Sequence, residues 1–194
     1  MQQSNIEYYV SDIETTGFKD GFHEITEVCF IRCSDLHELH RFVKIKHPQR
    51  VSPRALTATG RTMADLKKGE PFDKVVSQVD NFFNQDGKTA RHRCIITHNN
   101  SFDKRFLKAM WKSAGKEFQA EMWFETKKLS KLWAIKMGKK WPSNKLQDIL
   151  DYTGTRLYKK AHTAQHDARN LYMFWKKGME AGINKLDCIE RDGD

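Results

Sequence analysis

The chain holds no apolar run near the roughly 20 residues that a bilayer span needs; its longest, such as VCFI at 28–31, are strand-sized. Its start, MQQSNIEYYVSDIE, lacks the basic residues followed by an apolar stretch that mark a secretory leader. Cysteine is sparse: Cys29, Cys33, Cys94 and Cys188 are scattered, and the first two have no matching second pair. That argues against a zinc ribbon and for four reduced thiols. No internal repeat and no low-complexity linker interrupts the 194 residues. The expectation is a cytoplasmic protein rather than a membrane or secreted one. It should form one domain over 1–194, with a core at about 6–178 and a short C-terminal extension at 179–194.

Acidic residues are also in deficit, 25 against 34 basic, for a net charge of +9. Mean hydropathy is −0.74, yet twelve Phe and five Trp supply the material of a packed core. Apolar, β-branched runs predict strands at 6–13, 24–33 and 37–46, the last two a hairpin joined by a short Ser-Asp turn. Pro48 and Pro53 break the sheet, and 62–66 reads as a short helix. After Pro71 the spacing of Phe72, Val75, Val76, Val79, Phe82 and Phe83 predicts a longer helix. A buried strand at 94–97 leads into a helix ending near Gly115, and further helices are expected at 125–137, 144–152 and 163–181. Three strands, a helix, a strand and then helices make an α/β class with a mixed central β-sheet flanked by α-helices.

Chemistry-bearing residues fall at the ends of these elements. Asp12 and Glu14 sit two apart at the end of the first strand, where i and i+2 share a face. Two adjacent anions on one face call for a cation, and oxygen ligands select hard ions such as Mg²⁺ or Mn²⁺. Asp103 begins a helix after the polar bridge His98-Asn99-Asn100-Ser101. Asp167 begins another, with His162 five residues before it. His166, directly beside Asp167, should point elsewhere on the helix.

Together these residues spell D-x-E-T-T-G, then H-N-x-S-F-D, then H-x-A-x-x-D-A, in order along residues 12–168. The pattern resembles the DEDDh exonucleases, the DnaQ-like family of the RNase H-like superfamily, which includes proofreading subunits and RNase T. The resemblance implies an RNase H-like fold and a 3′–5′ exonuclease that hydrolyses phosphodiesters with two Mg²⁺ ions, Mn²⁺ substituting. Asp12, Glu14, Asp103 and Asp167 would be its metal ligands and His162 its general base. It also implies that Thr15 and Thr16 touch the terminal nucleotide, that Phe102 lies by its base or sugar, and that Asn99 orders the loop. Asn170 departs from the small hydroxyl residue frequent in the family at that place.

Segment 127–160 holds ten basic residues against Asp148 and Asp151, net +8, with Trp133, Trp141, Tyr152 and Tyr158 interleaved. Taken singly, Trp133 and Tyr152 suit the core; the charge as a whole suits a phosphate backbone, with Lys159 and Lys160 nearest the His162 loop. The leading function is removal of nucleotides from the 3′ ends of single-stranded or frayed DNA, in replication, proofreading or repair. The alternatives are an exoribonuclease of the RNase T or oligoribonuclease type, and a non-catalytic basic nucleic-acid-binding module. A polymerase or other subunit as partner is compatible with catalysis, and no membrane association is expected.

Overall fold

Alternation along the first strand lays out the molecule. The computed structural model describes residues 6–141, 143–158 and 162–193. In β1 (Glu7–Thr15), Tyr9 and Ile13 join one apolar cluster while Val10 joins the other. A strand whose two faces are both apolar must lie inside a sheet covered on both sides, and β1 does. Among the described residues the sheet has six strands in the order β3-β2-β1-β4-β5-β6. These are β2 (Ile25–Arg32), β3 (Glu38–Phe42), β4 (Arg93–Thr97), β5 (Met122–Glu125) and β6 (Ile189–Arg191). β1, β2 and β3 form an antiparallel meander, β4 and β5 run parallel to β1, and β6 returns antiparallel to β5.

Helices α1 (Pro53–Thr59) and α2 (Met63–Leu66) follow the meander, and a capping box at Thr62 and Asp65 opens α2. α3 (Phe72–Asn84) and α4 (Asn100–Ser113) cover one face through Val75, Val79, Phe83, Phe106, Leu107 and Trp111. α5 (Thr126–Lys136), α6 (Leu146–Thr153) and α7 (Ala164–Glu180) cover the other through Leu129, Trp133, Ile149, Leu150, Leu171 and Phe174.

The mixed sheet, the hairpin and the helices after Pro71 and His98 stand where the sequence places them. The strand expected at 37–46 stops at Phe42, because Val43 makes a lone bridge to Glu70 instead of continuing the ladder. Pro53 starts a helix rather than only ending a sheet: at N1 its missing N–H costs nothing and its φ is already helical. β5 and β6 escaped the sequence reading, being only four and three residues long. All four cysteines are free thiols. No helix of the described residues is long and apolar enough to cross a membrane.

Candidate active site

The same alternation that buries Val10 turns Asp12 and Glu14 toward α7. The antiparallel register slips between Glu14 and Thr15, a bulge that ends regular pairing at the mouth of the site. Beyond it Gly17 is buried, and a Cβ there would stand 2.4 Å from the His23 ring, so any larger residue requires that ring to move.

Asp103 enters from the first turn of α4 and Asp167 from the first turn of α7, where the helix dipole favours an anion. Thr163 caps α7, its hydroxyl accepting the His166 N–H at 3.3 Å. His162 lies just before this cap in the left-handed region, φ 63°. That turn lets its backbone N–H donate to Asp167 Oδ2 at 2.9 Å. Ligand atoms of Glu14, His162 and Asp167 then lie within 4.8 Å of one another.

Burial raises the carboxyl of Asp12 well above its ordinary range, and the charges of Asp167, Asp103 and Glu14 push it further. Burial, then Asp167 and Glu27, lift Glu14 to about 8, with Arg61 pulling back. Asp103 rises to about 7 through burial, opposed by its own backbone N–H and by Lys127. Asp167 is raised by burial, against the His162 N–H and the Gln147 amide. Four crowded carboxyls, with little counter-charge among the described residues, form a set that a hard divalent cation would satisfy, and oxygen donors with one imidazole are ligands that such ions accept. The residues therefore fit the metal that the sequence pattern implies.

Of the other residues singled out in the sequence, Thr16 is buried, its hydroxyl accepting the Glu24 N–H at 2.9 Å, and Thr15 donates to the Gly17 carbonyl at 2.6 Å. Phe102 is half-buried, 4.8 Å from Phe106 and 6.3 Å from the exposed ring of Phe18. Asn99 accepts from Ser101 at 3.3 Å at the head of α4. His98 is turned away, bonded to Thr126 and to the Asn144 carbonyl, and burial lowers it to about 4. His166 stacks flat on Tyr158 at 4.5 Å, the bystander expected. Lys159 and Lys160 lie outside the described residues.

The basic segment is less free than its charge suggests. Lys128 pairs with Glu190, Lys136 caps the Gly182 carbonyl and Arg156 binds Gln147, while Lys131, Lys139, Lys140 and Lys145 stay exposed. Trp133 is buried as expected, but Tyr152 is 45% exposed, edge-on to Trp141 at 4.9 Å, instead of in the core. It ends on the solvent side of α6, whose inner face is taken by Ile149 and Leu150.

Several residues beside the site were given no role by the sequence. Glu27, 1% exposed, stands across from Glu14 in the β1–β2 register and binds His40 at 2.8 Å. Gln147 donates to Asp167 Oδ1 at 2.8 Å. Asn170, fully buried, accepts the Leu157 and Tyr158 N–H groups at 2.8 and 3.0 Å and donates to the Tyr158 carbonyl at 3.0 Å. The unusual residue at this position thereby anchors the backbone of Leu157 and Tyr158, ahead of His162 in the chain. Phe18 could have been found as the aromatic next to the D-x-E-T-T-G string.

The RNase_T family model, described as an exonuclease, matches residues 9–174. Among curated proteins, the chain is 28% identical to a PolC-type DNA polymerase III of Thermotoga petrophila over 96% of its own length and 13% of that protein. It is also 28% identical to the corresponding protein of Mycoplasmopsis pulmonis over 65% of its length and 8% of that protein. The chain thus spans about a tenth of these relatives. Among solved structures, the zinc-bound E. coli ExoI–ssDNA complex superposes with a TM-score of 0.79 at 18% identity, covering 94% of this chain and 42% of that one. The nuclease domain of 3′hExo, a DEDDh family member bound to rAMP, superposes at 0.71 and 16% identity over 91% and 92% of the two chains.

Proposed function

We propose, for a chain that belongs to the DEDDh exonucleases of the RNase T family and so is a 3′–5′ exonuclease, that its substrate is the 3′ end of single-stranded or frayed DNA. The observation that carries the mechanism is the group of Glu14, His162 and Asp167, whose ligand atoms lie within 4.8 Å of one another, with Asp12 and Asp103 near enough for their charges to act on the same carboxyls. Asp12, Glu14, Asp103 and Asp167 would hold two divalent cations, Mg²⁺ with Mn²⁺ as a substitute. Such ions polarise the scissile phosphodiester and the attacking water.

The chain's own groups do the rest. His162, exposed and tethered through its backbone to Asp167, takes the proton of the attacking water at an imidazole nitrogen. Phe102, next to Asp103 in the chain, and Phe18, 6.3 Å from it, would offer ring faces to the terminal nucleotide. The Thr15–Gly17 turn supplies the close backbone approach beside it. Lys131, Lys139, Lys140 and Lys145 draw the strand toward the site.

DNA is preferred over RNA here because the matched relatives are DNA polymerases, which also makes a polymerase partner the natural setting. The test is a comparison of kcat/KM on 5′-labelled DNA and RNA of the same unstructured sequence. Faster shortening of the DNA is expected; faster shortening of the RNA would replace this reading with the exoribonuclease.

A further inference from the structure

Both oxygens of Asp167 are engaged by neutral donors. Oδ2 accepts the His162 backbone N–H at 2.9 Å, and Oδ1 accepts the side-chain amide of Gln147 at 2.8 Å. Gln147 stands in the first turn of α6, and its amide can face only one way. Arg156 directs Nε, at 2.9 Å, and an Nη onto Gln147 Oε1. A guanidinium carries donors alone, so the amide oxygen must face Arg156 and the NH₂ must face Asp167. The other Nη of Arg156 is held by Asp151 Oδ2 at 2.9 Å. A relay of hydrogen bonds therefore runs from the exposed Asp151 inward to the carboxylate cluster.

The choice of a neutral link has a consequence. A guanidinium placed directly on Asp167 would form a strong ion pair and compete with any cation for that carboxylate. An amide fixes the same geometry with no charge. With one N–H on each oxygen, the carboxylate keeps further lone pairs, and its ligand atom lies within 4.8 Å of those of Glu14 and His162. We propose that Gln147 is a positioning residue for the divalent cations: locked by Arg156, it aims Asp167 into the cluster while keeping the guanidinium charge one side chain away. This rests on reading the cluster as a cation site.

The test is calorimetric titration of Mn²⁺ into the full chain without nucleic acid, for wild type, Gln147→Met, Arg156→Gln and the double variant. Met keeps the length and flexibility of Gln and removes the donor. Gln147→Met should weaken Mn²⁺ binding about 10-fold, the size of effect typical when a metal ligand loses its hydrogen-bond partner. The Mg²⁺ concentration for half-maximal hydrolysis should rise with it. Arg156→Gln should shift affinity in the same direction, and the double variant should be no worse than Gln147→Met, since the two act in series. A purely structural role would lower the melting temperature and leave ion affinity alone. Wild-type ion affinity in both single variants overturns the proposal, and if Gln147→Met fails to fold, Arg156→Gln decides. Unchanged variants of an active, ion-binding wild type sink the proposal but spare the exonuclease. A wild type that binds no ion sinks both.

Discussion

His162 combines two duties in one residue: its backbone N–H, presented by φ 63°, ties Asp167, while its imidazole faces the cluster. Left-handed backbone is costly for most residues and mildest for Gly, Asn and Asp. If His162 is the base, as proposed, His162→Asn should keep the turn and the fold while lowering kcat about 10²- to 10⁴-fold with substrate binding intact; single-turnover kinetics and anisotropy binding separate the two. The crowded carboxyls give a second expectation. Glu14 and Asp103, raised to about 8 and 7, still hold protons in the folded, ion-free chain at a pH where the unfolded chain has released them. The folded state then binds more protons, and stability is lost as pH rises through 7 and 8. His98, lowered to about 4 from 6.5, acts the opposite way, but only below about pH 6.5. In EDTA the melting temperature should fall between pH 6.5 and 8, and Mg²⁺ or Glu14→Gln should flatten that fall. A flat profile for the ion-free wild type would count against the cluster as described.

Elements matter through how they carry these residues. β1 delivers two carboxylates by simple alternation, which is why Asp12 and Glu14 were legible in the sequence together with their shared face. Asp103 and Asp167 also begin helices, but helix position alone would have left them as ordinary first-turn acids; it was the three motifs in order, and the family pattern they resemble, that singled them out. What escaped depends on contacts between distant segments. Glu27 meets Glu14 only through strand register, and Gln147 meets Asp167 only because α6 packs beside α7. β5 and β6 were too short for any periodicity to show. Asn170 was visible as a departure from the family pattern, but its purpose was not. Its three hydrogen bonds fix Leu157 and Tyr158, the latter four residues before His162. Asn170→Ala would strand buried backbone groups, costing roughly 1–3 kcal/mol. By releasing the His162 loop it should lower kcat by up to about 100-fold; thermal melting and steady-state kinetics check both.

For the molecule as a whole, charge is uneven: +8 of the net +9 lies in residues 127–160, and part of it is spent on internal pairing. The exposed Lys139 and Lys140 are the place to ask whether the remainder guides a strand. Lys139→Gln with Lys140→Gln should raise KM, leave kcat unchanged, and make the salt slope of single-strand binding shallower by about 0.7 for each phosphate no longer neutralised. An unchanged salt slope would send the strand elsewhere. Carboxylates, base and basic surface meet in one claim, that this site removes nucleotides from a 3′ end with the help of divalent ions. The most direct measurement is digestion of 5′-labelled single-stranded DNA by wild type and Asp167→Ala, each with Mg²⁺ and with EDTA. A ladder shortening from the 3′ end, present only for wild type with Mg²⁺, is the predicted result. Equal digestion by the variant or in EDTA, or no digestion by wild type with Mg²⁺, would contradict it.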